Sequence, residues 1–454
     1  METRQSTQAV VQHAVTSSTA RPVRHGVRTA RPPVRARLTT CVGALALLAG
    51  AAQAQTRVSM WVHAGAGPEA QAYVAAIDAF NKRSKAVQVD LVKLPEGSYG
   101  DQVNAAALAH KLPCILDFDG PNVYNYAWSK KIVALDDFPE IAALKADMLP
   151  SLQRQGTYNG KLYSVGQFDS GLALWGHRGT LTKAGIRIPT RAADAWTLAE
   201  FEGALKKLKA AGVAAPLDMK FNYGIGEWFT YGFSPIVQSL GGDLIDRSNY
   251  QSAQGRINGP EAVKALGLIQ GWVKAGYVNA ASKDDGDFVK GKAALSYVGH
   301  WTYGDYKKAL GDELVLIPMP KFGAKAVTGA GSWNFGISSD CKDPKASAQV
   351  LAHLMSPAEI ARVTEVNGAV PGTRAALAQS RNYGAKGPLA IYAEQLTDGT
   401  ALVRPQTPAY PSITTAFAEA VNNIVAGADP KKELDKAAKK IDQNIEDNKG
   451  YRVK

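Results

Sequence analysis

The sequence has only three cysteines in 454 residues, and it also lacks the motifs of several common enzyme classes. Three cysteines are too few for the disulfide framework of a small secreted domain. Two of them, Cys114 and Cys341, lie in the main part of the chain, and the sequence leaves open whether they form a disulfide. No close cluster of histidines and cysteines suits zinc, and neither His-Glu-x-x-His nor Gly-x-Ser-x-Gly occurs. These absences argue against a zinc peptidase or a serine hydrolase.

Internal repeats, and runs of basic residues interleaved with aromatic ones, are absent as well. The formal net charge is +12, but residues 1–54 carry seven arginines against one glutamate, so about half of this excess lies there. The remaining positive charge is too diffuse to indicate a nucleic-acid partner. The lack of repeats argues against a structural or adhesive protein. Beyond residue 54, no segment is apolar enough to cross a membrane.

The first 54 residues have the pattern of an export signal. Arg35 and Arg37 precede a short apolar stretch that ends in Ala52-Gln53-Ala54. A basic head, an apolar middle too short to span a bilayer and small residues before the cleavage point are typical of a secretory signal peptide. We therefore expect residues 1–54 to be removed and the mature protein to lie in the periplasm of a Gram-negative cell.

Strand and helix patterns alternate at the start of the mature chain. Apolar, β-branched runs at 58–62, 86–94 and 114–119 predict strands, and the periodicity of 68–84 and 99–110 predicts helices. Such alternation is typical of an α/β lobe built on a parallel sheet. A chain of 454 residues is also too long for one ordinary core, so we expect two lobes.

The segment after the first predicted strand has the Gly-x-Gly-x-x-Ala spacing of a dinucleotide-binding turn, at Gly65, Gly67 and Ala70. In a dinucleotide site an acidic residue ends the second strand, whereas Asp90 lies in the middle of its predicted strand. Export would also remove the protein from the cytosol, where NAD is abundant. We therefore expect no cofactor, and we interpret the segment as a strand-to-helix turn in which only small residues fit.

Several longer phrases occur in a characteristic order. They include LYSVGQFDSGLALWGHRGTLTKAGI, GKAALSYVGHW, IPMP, TGAGSWNFGISS, DPKASAQVLAHLMSPAEIARVTEVNGAVPGTRAAL and RPQTPAYPSITTAFAEAVNNIVAG. Together they resemble the family 1 extracellular solute-binding proteins of ABC importers, the carbohydrate-binding group that is similar to maltose-binding protein. The resemblance covers residues 57–454. It implies a two-lobed α/β fold of the periplasmic-binding-protein type (type II-like), with a hinge of crossing segments and a ligand cleft between the lobes.

The resemblance also implies a division of the chain and a mode of action. The expected N-terminal lobe is 55–168 plus 320–371, and the expected C-terminal lobe is 169–319 plus 372–454. The protein would capture a sugar, a di- or oligosaccharide, by hinge closure and deliver it to a membrane permease, acting as a monomer and not as an enzyme. A polyol or glycerol-phosphate-type solute stays open as the ligand, and a periplasmic carbohydrate-active enzyme is a further alternative.

A sugar site needs groups for hydroxyls and flat surfaces for C–H faces. Carboxylates, amides and arginine bind hydroxyls, and aromatic rings pack against the C–H faces. Such groups are expected at strand ends and loop tips around the cleft. The candidate ligand contacts are His63, Glu69, Asp117, Asp119, Asp169, Trp228, Trp301, Gly331, Ser332, Trp333 and Arg404.

Four of these candidates take their roles from the resemblance. It places a hydroxyl-binding acid at Asp119 and a ligand-facing polar residue at Asp169. It places a sugar-stacking tryptophan at Trp301 and an arginine of the cleft at Arg404. Asp117 and Asp119 stand two residues apart on one strand, a poor arrangement for the acid and the nucleophile of a glycosidase, so no catalytic residue and no metal ligand is expected.

Overall fold

The computed structural model of the protein describes residues 55–64, 67–384 and 387–452. The predicted signal peptide of residues 1–54 and Gly65 of the small-residue turn lie outside these described residues. No helix in the described ranges is long and apolar enough to cross a membrane.

The described residues alternate between short strands and helices. The strands are β1 (Thr56–His63), β2 (Val87–Leu94), β3 (Ile115–Asp119), β4 (Thr157–Tyr158), β5 (Lys161–Leu162), β6 (Phe168–Asp169), β7 (Leu172–His177), β8 (Leu217–Asp218), β9 (Leu295–Gly299), β10 (Leu314–Ile317), β11 (Thr328–Ala330), β12 (Trp333–Ile337), β13 (Val370–Pro371) and β14 (Ala401–Val403). The α-helices are α1 (Gly67–Arg83), α2 (Glu96–Leu108), α3 (Asn122–Trp128), α4 (Pro139–Lys145), α5 (Pro150–Gly156), α6 (Arg178–Lys183), α7 (Leu198–Ala210), α8 (Glu227–Ser239), α9 (Pro260–Lys274), α10 (Gly286–Val289), α11 (Tyr303–Leu310), α12 (Pro344–Leu354), α13 (Pro357–Asn367), α14 (Arg374–Gln379), α15 (Ala390–Thr397), α16 (Tyr410–Val425) and α17 (Pro430–Asp447).

Local sequence explains where several helices begin. Proline occupies an initial position of α12 and of α17, where its fixed φ suits the helix and no backbone N–H is needed. The preceding Asp343 and Asp429 accept hydrogen bonds from the first free backbone N–H groups. At α7, Thr197 and Glu200 form a reciprocal capping box. These helices therefore have their ends specified by a few adjacent residues.

One four-stranded sheet has the order β12-β3-β1-β2. β1 is parallel to both β2 and β3, as the alternating pattern predicts, and its Val58, Met60 and Val62 are completely buried. β12 joins the sheet antiparallel to β3, with Trp333 opposite Asp119. Because β12 runs antiparallel to its neighbour, the sheet is mixed rather than purely parallel.

A second four-stranded sheet has the order β10-β7-β9-β8. β7 is antiparallel to β9 and to β10, and β8 is parallel to β9. Helices α8, α9 and α16 pack around one another in the large hydrophobic core beside this sheet. Two short strand pairs, β6 with β13 and β11 with β14, connect segments that lie outside both large sheets.

A disulfide joins Cys114 and Cys341, which the sequence left as an open question. Cys114 lies immediately before β3, and Cys341 follows β12 after a short turn. The bond therefore secures β12 to the neighbouring strand of the first sheet, at the end of the pair opposite Trp333 and Asp119.

Candidate functional site

Three predicted site residues meet at one edge of the first sheet because of strand direction. His63 is the last residue of β1, and Asp119 is the last residue of the parallel β3. Trp333 is the first residue of the antiparallel β12, so it lies opposite Asp119. The carboxyl ends of parallel strands are where ligands of α/β folds bind.

His63, Glu69 and Asp117 form one buried group, which we call the His63 cluster. His63 Nδ1 lies 2.5 Å from Asp117 Oδ2, and His63 Nε2 lies 3.4 Å from Glu69 Oε1. Burial acts to lower the pKa of His63, but the charge of Asp117 and the hydrogen bonds to both carboxyl groups outweigh it and raise the pKa to about 10. The ring therefore carries two N–H groups and a positive charge at neutral pH.

Glu69 is held by neighbours other than His63 as well. Its Oε1 accepts a hydrogen bond of 3.1 Å from the Tyr73 hydroxyl, and its Oε2 accepts one of 3.1 Å from Asn367 Nδ2. Burial acts to raise the pKa of Glu69, but the hydrogen bond and charge of His63, together with Asn367, lower it below its ordinary value. Glu69 is therefore a carboxylate that already accepts a hydrogen bond at each of its two oxygens.

Arg404 connects the first sheet to helix α8 of the other core. Its guanidinium makes two hydrogen bonds to Asp119, of which Nη2 to Oδ1 measures 2.6 Å, and Nη1 also lies 2.6 Å from Glu227 Oε1. It lies 4.8 Å above the ring of Tyr231, a cation–π distance. Burial raises the pKa of Glu227 above its ordinary value, and the negative charge of Asp119 adds to this rise. The positive charge of Arg404 opposes the rise but does not cancel it.

Asp169 anchors the loop before β12. Its Oδ1 accepts hydrogen bonds of 2.8 Å from the backbone N–H groups of Ser170 and Gly331. Gly331 has a φ of +90°, and a Cβ there would lie 2.0 Å from Gln155 Nε2, so this position requires glycine. Burial raises the pKa of Asp169 above its ordinary value, against the opposing effect of its hydrogen bonds.

Ser170 links this loop to a buried histidine after β9. Its Oγ lies 3.2 Å from Ser332 Oγ and 2.8 Å from His300 Nε2. His300 Nδ1 lies 2.7 Å from the carbonyl oxygen of Asn367, which requires this nitrogen to carry the proton, so Nε2 accepts from Ser170. Burial lowers the pKa of His300 to about 4, although the Asn367 hydrogen bond opposes the shift.

Aromatic residues gather beside Arg404. Trp301 lies 6.0 Å from Trp228 in an edge-on arrangement and 6.1 Å from Tyr231, and its Nε1 donates to the Tyr223 hydroxyl at 3.0 Å. Trp228 is only 8% exposed and donates its indole N–H to Met219 O, whereas Trp301 keeps part of its surface accessible. Trp301 therefore offers the accessible ring of this group.

The structure brings the predicted residues together as linked groups. The first group is the His63 cluster with Trp333, the second is Asp119 with Arg404, the third is Asp169 with Gly331 and Ser332, and the fourth is Trp228 with Trp301. The Ser332 carbonyl accepts the N–H of Gly120 at 2.9 Å, which joins the third group to the end of β3. Tyr231 joins the second group to the fourth.

Sequence reasoning missed Glu227, Tyr231, His300 and Gln155. Glu227 and Tyr231 stand four residues apart on α8, so they share a helix face next to Trp228. This spacing could have indicated from the sequence that the two side chains belong to one site. Arg404 Nε is a buried polar atom with no hydrogen-bond partner among the described residues. Asp169 Oδ2 and Tyr231 Oη are buried without a well-aligned partner, although Ser151 and Ser170 lie near enough to oppose the rise that burial causes in the pKa of Asp169 and of Tyr231, respectively. No set of three or more His, Cys, Asp or Glu side chains within the described ranges is arranged to hold a metal ion.

Comparison with known proteins identifies the family. Residues 75–389 match the model of the bacterial extracellular solute-binding protein family. The chain belongs to this family. A relative named "probable sugar-binding periplasmic protein", from Rhizobium meliloti strain 1021, is 25% identical to this solute-binding protein over 353 residues, which cover 73% of the chain and 80% of the relative.

Solved structures are similar to the solute-binding protein over most of its length. The GacH receptor of Streptomyces glaucescens, solved without ligand and with acarbose, superposes with a TM-score of 0.74 at 22% identity and covers 88% of this chain and 100% of its own. The sugar-binding protein MalE from Xanthomonas citri gives a TM-score of 0.67 at 20% identity, and the match covers 87% of this chain and 98% of MalE. The solute-binding protein therefore has the two-lobed α/β fold of periplasmic binding proteins, as the sequence predicted.

Proposed function

We infer that this solute-binding protein captures a sugar of di- or oligosaccharide size for an ABC importer. The observation that carries the proposal is the position of the accessible Trp301 ring beside Tyr231, which packs on the buried guanidinium of Arg404. Arg404 Nε has no hydrogen-bond partner among the described residues. An indole packs against the C–H face of a sugar, and buried hydrogen-bonding groups gain most from hydroxyls that complete their bonding. Asp169 Oδ2 supplies a further acceptor.

The charges of the site favour a neutral solute over a phosphorylated one. The imidazolium of His63 faces two carboxyl groups, and the guanidinium of Arg404 is shared between Asp119 and Glu227. A phosphate would have to displace a carboxylate from one of these cations, and the remaining acids would repel it. We therefore assign a sugar rather than a glycerol-phosphate-type ligand, while a polyol shares the same hydroxyl chemistry.

The names of the relatives agree with this assignment. The Rhizobium relative is named for sugar binding, GacH is described with acarbose, and MalE is described as a sugar-binding protein. The proposed partner is the membrane permease of an ABC importer. The proposed location is the periplasm, to which residues 1–54 would direct the protein as a signal peptide before they are removed. The protein would act as a monomer and would release its ligand chemically unchanged.

The proposed movement is a rotation of two lobes about crossing segments. We assign 55–168 plus 320–371 to one lobe and 169–319 plus 372–454 to the other. Between these ranges the chain crosses from lobe to lobe at 168/169, 319/320 and 371/372. The pairing of β6 with β13 brings the first and third of these crossings side by side, with Asp169 opposite Val370. Hinges are built from a few residues in loops or at the ends of elements, and the ends of these two-residue strands would supply them for closure around a ligand.

The experiment is a thermal-shift and calorimetry screen of the purified protein. The panel contains glucose, maltose, maltotriose, mannobiose, glycerol and glycerol 3-phosphate. We expect a di- or trisaccharide to raise the melting temperature, because a ligand at one hundred times its Kd adds about 2.7 kcal/mol of stability. The Trp301→Ala variant should lose at least tenfold in affinity for that saccharide.

A matched control and two contrary results define the test. Trp272→Phe changes another indole, which packs on Phe201 and Phe322 inside a single core, and should leave affinity unchanged. Full affinity in Trp301→Ala, or a response to glycerol 3-phosphate with none to the saccharides, would overturn the proposal. Chromatography after long incubation should recover the saccharide intact, and cleavage products would favour the enzyme alternative.

A further inference from the structure

His63 lies beneath the indole of Trp333 rather than at an accessible surface. The ring centroids are 3.6 Å apart with the planes inclined by 10°, and His63 is only 2% exposed. Both ring nitrogens face carboxyl groups, at 2.5 Å from Asp117 and 3.4 Å from Glu69. The ring therefore has no hydrogen-bonding atom left for a ligand, and its free interaction is through its flat face.

The plane of the His63 ring is fixed from three elements. Asp117 of β3 also accepts the backbone N–H of His63, at 3.1 Å to each carboxyl oxygen. Glu69 of α1 is itself held by Tyr73 and Asn367. Tyr99 of α2 donates to the Asp117 carbonyl at 2.7 Å, and its ring meets the indole of Trp333 edge-on at 5.9 Å. These contacts set the orientation of the indole as well.

Charge adds to the stacking. A cation over the face of an indole is attracted by the electron density of the ring, and the attraction is stronger when water is excluded. Asp117 and Glu69 keep the pKa of His63 at about 10, despite burial, so the ring stays cationic at neutral pH. The titratable groups that face the ring are Asp117 of β3 and Glu69 and Tyr73 of α1, with Tyr99 of α2 behind Asp117 and His300 acting on Glu69.

We propose that His63 is a positioning residue for sugar binding, because it holds the Trp333 indole from one face and leaves the opposite face for a sugar ring. Trp333 keeps part of its surface exposed, while the side toward His63 is covered. This role rests on the proposed function, since it assigns Trp333 as a second stacking ring beside Trp301. The sequence had suggested His63 as a direct ligand contact; here it acts through Trp333.

The first experiment observes Trp333 without any ligand. The emission of Trp333 is the difference between the protein and its Trp333→Phe variant, and a protonated imidazole in contact with an indole quenches it. We expect His63→Gln to raise this emission at least twofold and to increase acrylamide quenching. In the protein with His63, the emission should rise only as the pH approaches 10. His353→Gln, the same change at another buried histidine, is the control and should alter neither signal.

The second experiment measures binding of maltotriose, mannobiose and maltose by calorimetry. His63→Gln and Trp333→Ala should each lower the affinity for the saccharide that binds best by at least tenfold. The double variant should lose little more affinity than either single variant. His63→Phe keeps a flat ring without charge and should fall between His63→Gln and the unaltered protein. Should the His63 variants fail to fold, the pH dependence of Trp333 emission in the unaltered protein, which needs no change at His63, tests the positioning role.

The two proposals fail in different ways. Unchanged Trp333 emission and acrylamide access in the His63 variants would refute the positioning role, whatever the saccharides do. Altered emission with unchanged saccharide affinity would refute the link between Trp333 and binding. Absence of binding by the unaltered protein to every saccharide of the panel would instead refute the proposed function.

Discussion

Replacing Arg404 with methionine should destabilise the protein strongly, because it leaves two acids facing each other. Arg404 is 4% exposed at its side chain and bonds to Asp119 and Glu227, which are 15% and 32% exposed. Removing one partner of a buried ion pair costs about 3–5 kcal/mol. Since both acids keep some contact with water, we expect the lower end, a loss of about 3 kcal/mol in the free energy of unfolding.

Urea denaturation followed by circular dichroism measures this loss. At pH 8, Arg404→Met should shift the midpoint well below that of the unaltered protein. The double variant Arg404→Met/Glu227→Gln should be more stable than Arg404→Met alone, because it removes one of the two unpaired charges. Arg57→Met is the matched control, since the Arg57–Asp90 pair is 66% and 52% exposed and such pairs contribute at most about 1 kcal/mol.

The pH dependence of the free energy of unfolding provides a second test of the Arg404→Met variant. The pKa of Glu227 is raised by burial, and Arg404 opposes that rise. Without Arg404 the pKa rises further, so Glu227 takes up a proton as the pH is lowered and the repulsion from Asp119 falls. The difference between Arg404→Met and the unaltered protein should therefore shrink from pH 8 to pH 5.5. A loss below 1 kcal/mol, or a double variant less stable than the single one, would refute this account.

Three other predictions concern stability. Cys114→Ser/Cys341→Ser opens a loop of 227 residues and should cost up to about 5 kcal/mol of chain entropy, seen as a lower urea midpoint that reductant no longer changes. His300 has a folded pKa of about 4 against 6.5 unfolded, so stability should fall by about 3 kcal/mol as the pH drops through this window, and the fall should be shallower in His300→Gln. An equal slope in both proteins would contradict it. Gly331→Ala should lower the melting temperature, because φ is +90° and Gln155 occupies the Cβ position, whereas Gly203→Ala, with open space at its Cβ, should not.

Local patterns were sufficient for three of the four strands of the first sheet. The β-branched runs and the periodicity of the following segments predicted β1, β2, β3 and the helices between them. They could not predict that β12 completes this sheet in the antiparallel direction, because pairing across 214 residues between Asp119 and Trp333 leaves no local signal. The resemblance to a known family, rather than periodicity, supplied the two-lobed fold.

The candidate site was predictable in its residue types but not in its pairings. The family resemblance drew attention to Asp119, Arg404 and Trp301 as chemically suitable groups, and their contact with a ligand stays a prediction. No pattern in the sequence indicates that Arg404 pairs with Asp119, 285 residues away, or that His63 is enclosed by two carboxyl groups. Such contacts depend on tertiary packing, which also decides whether a polar residue faces a ligand or another side chain.

The bond between Cys114 and Cys341 makes a covalent ring of the polypeptide between them. All strands of the second sheet, from Leu172 to Ile317, lie within this ring. A protease that cuts one exposed loop there would consequently leave its two products tethered, and a single nick would not release either piece until the sulfur atoms are reduced. For a protein that works outside the cytoplasm, this topology confers resistance to fragmentation without any additional buried surface.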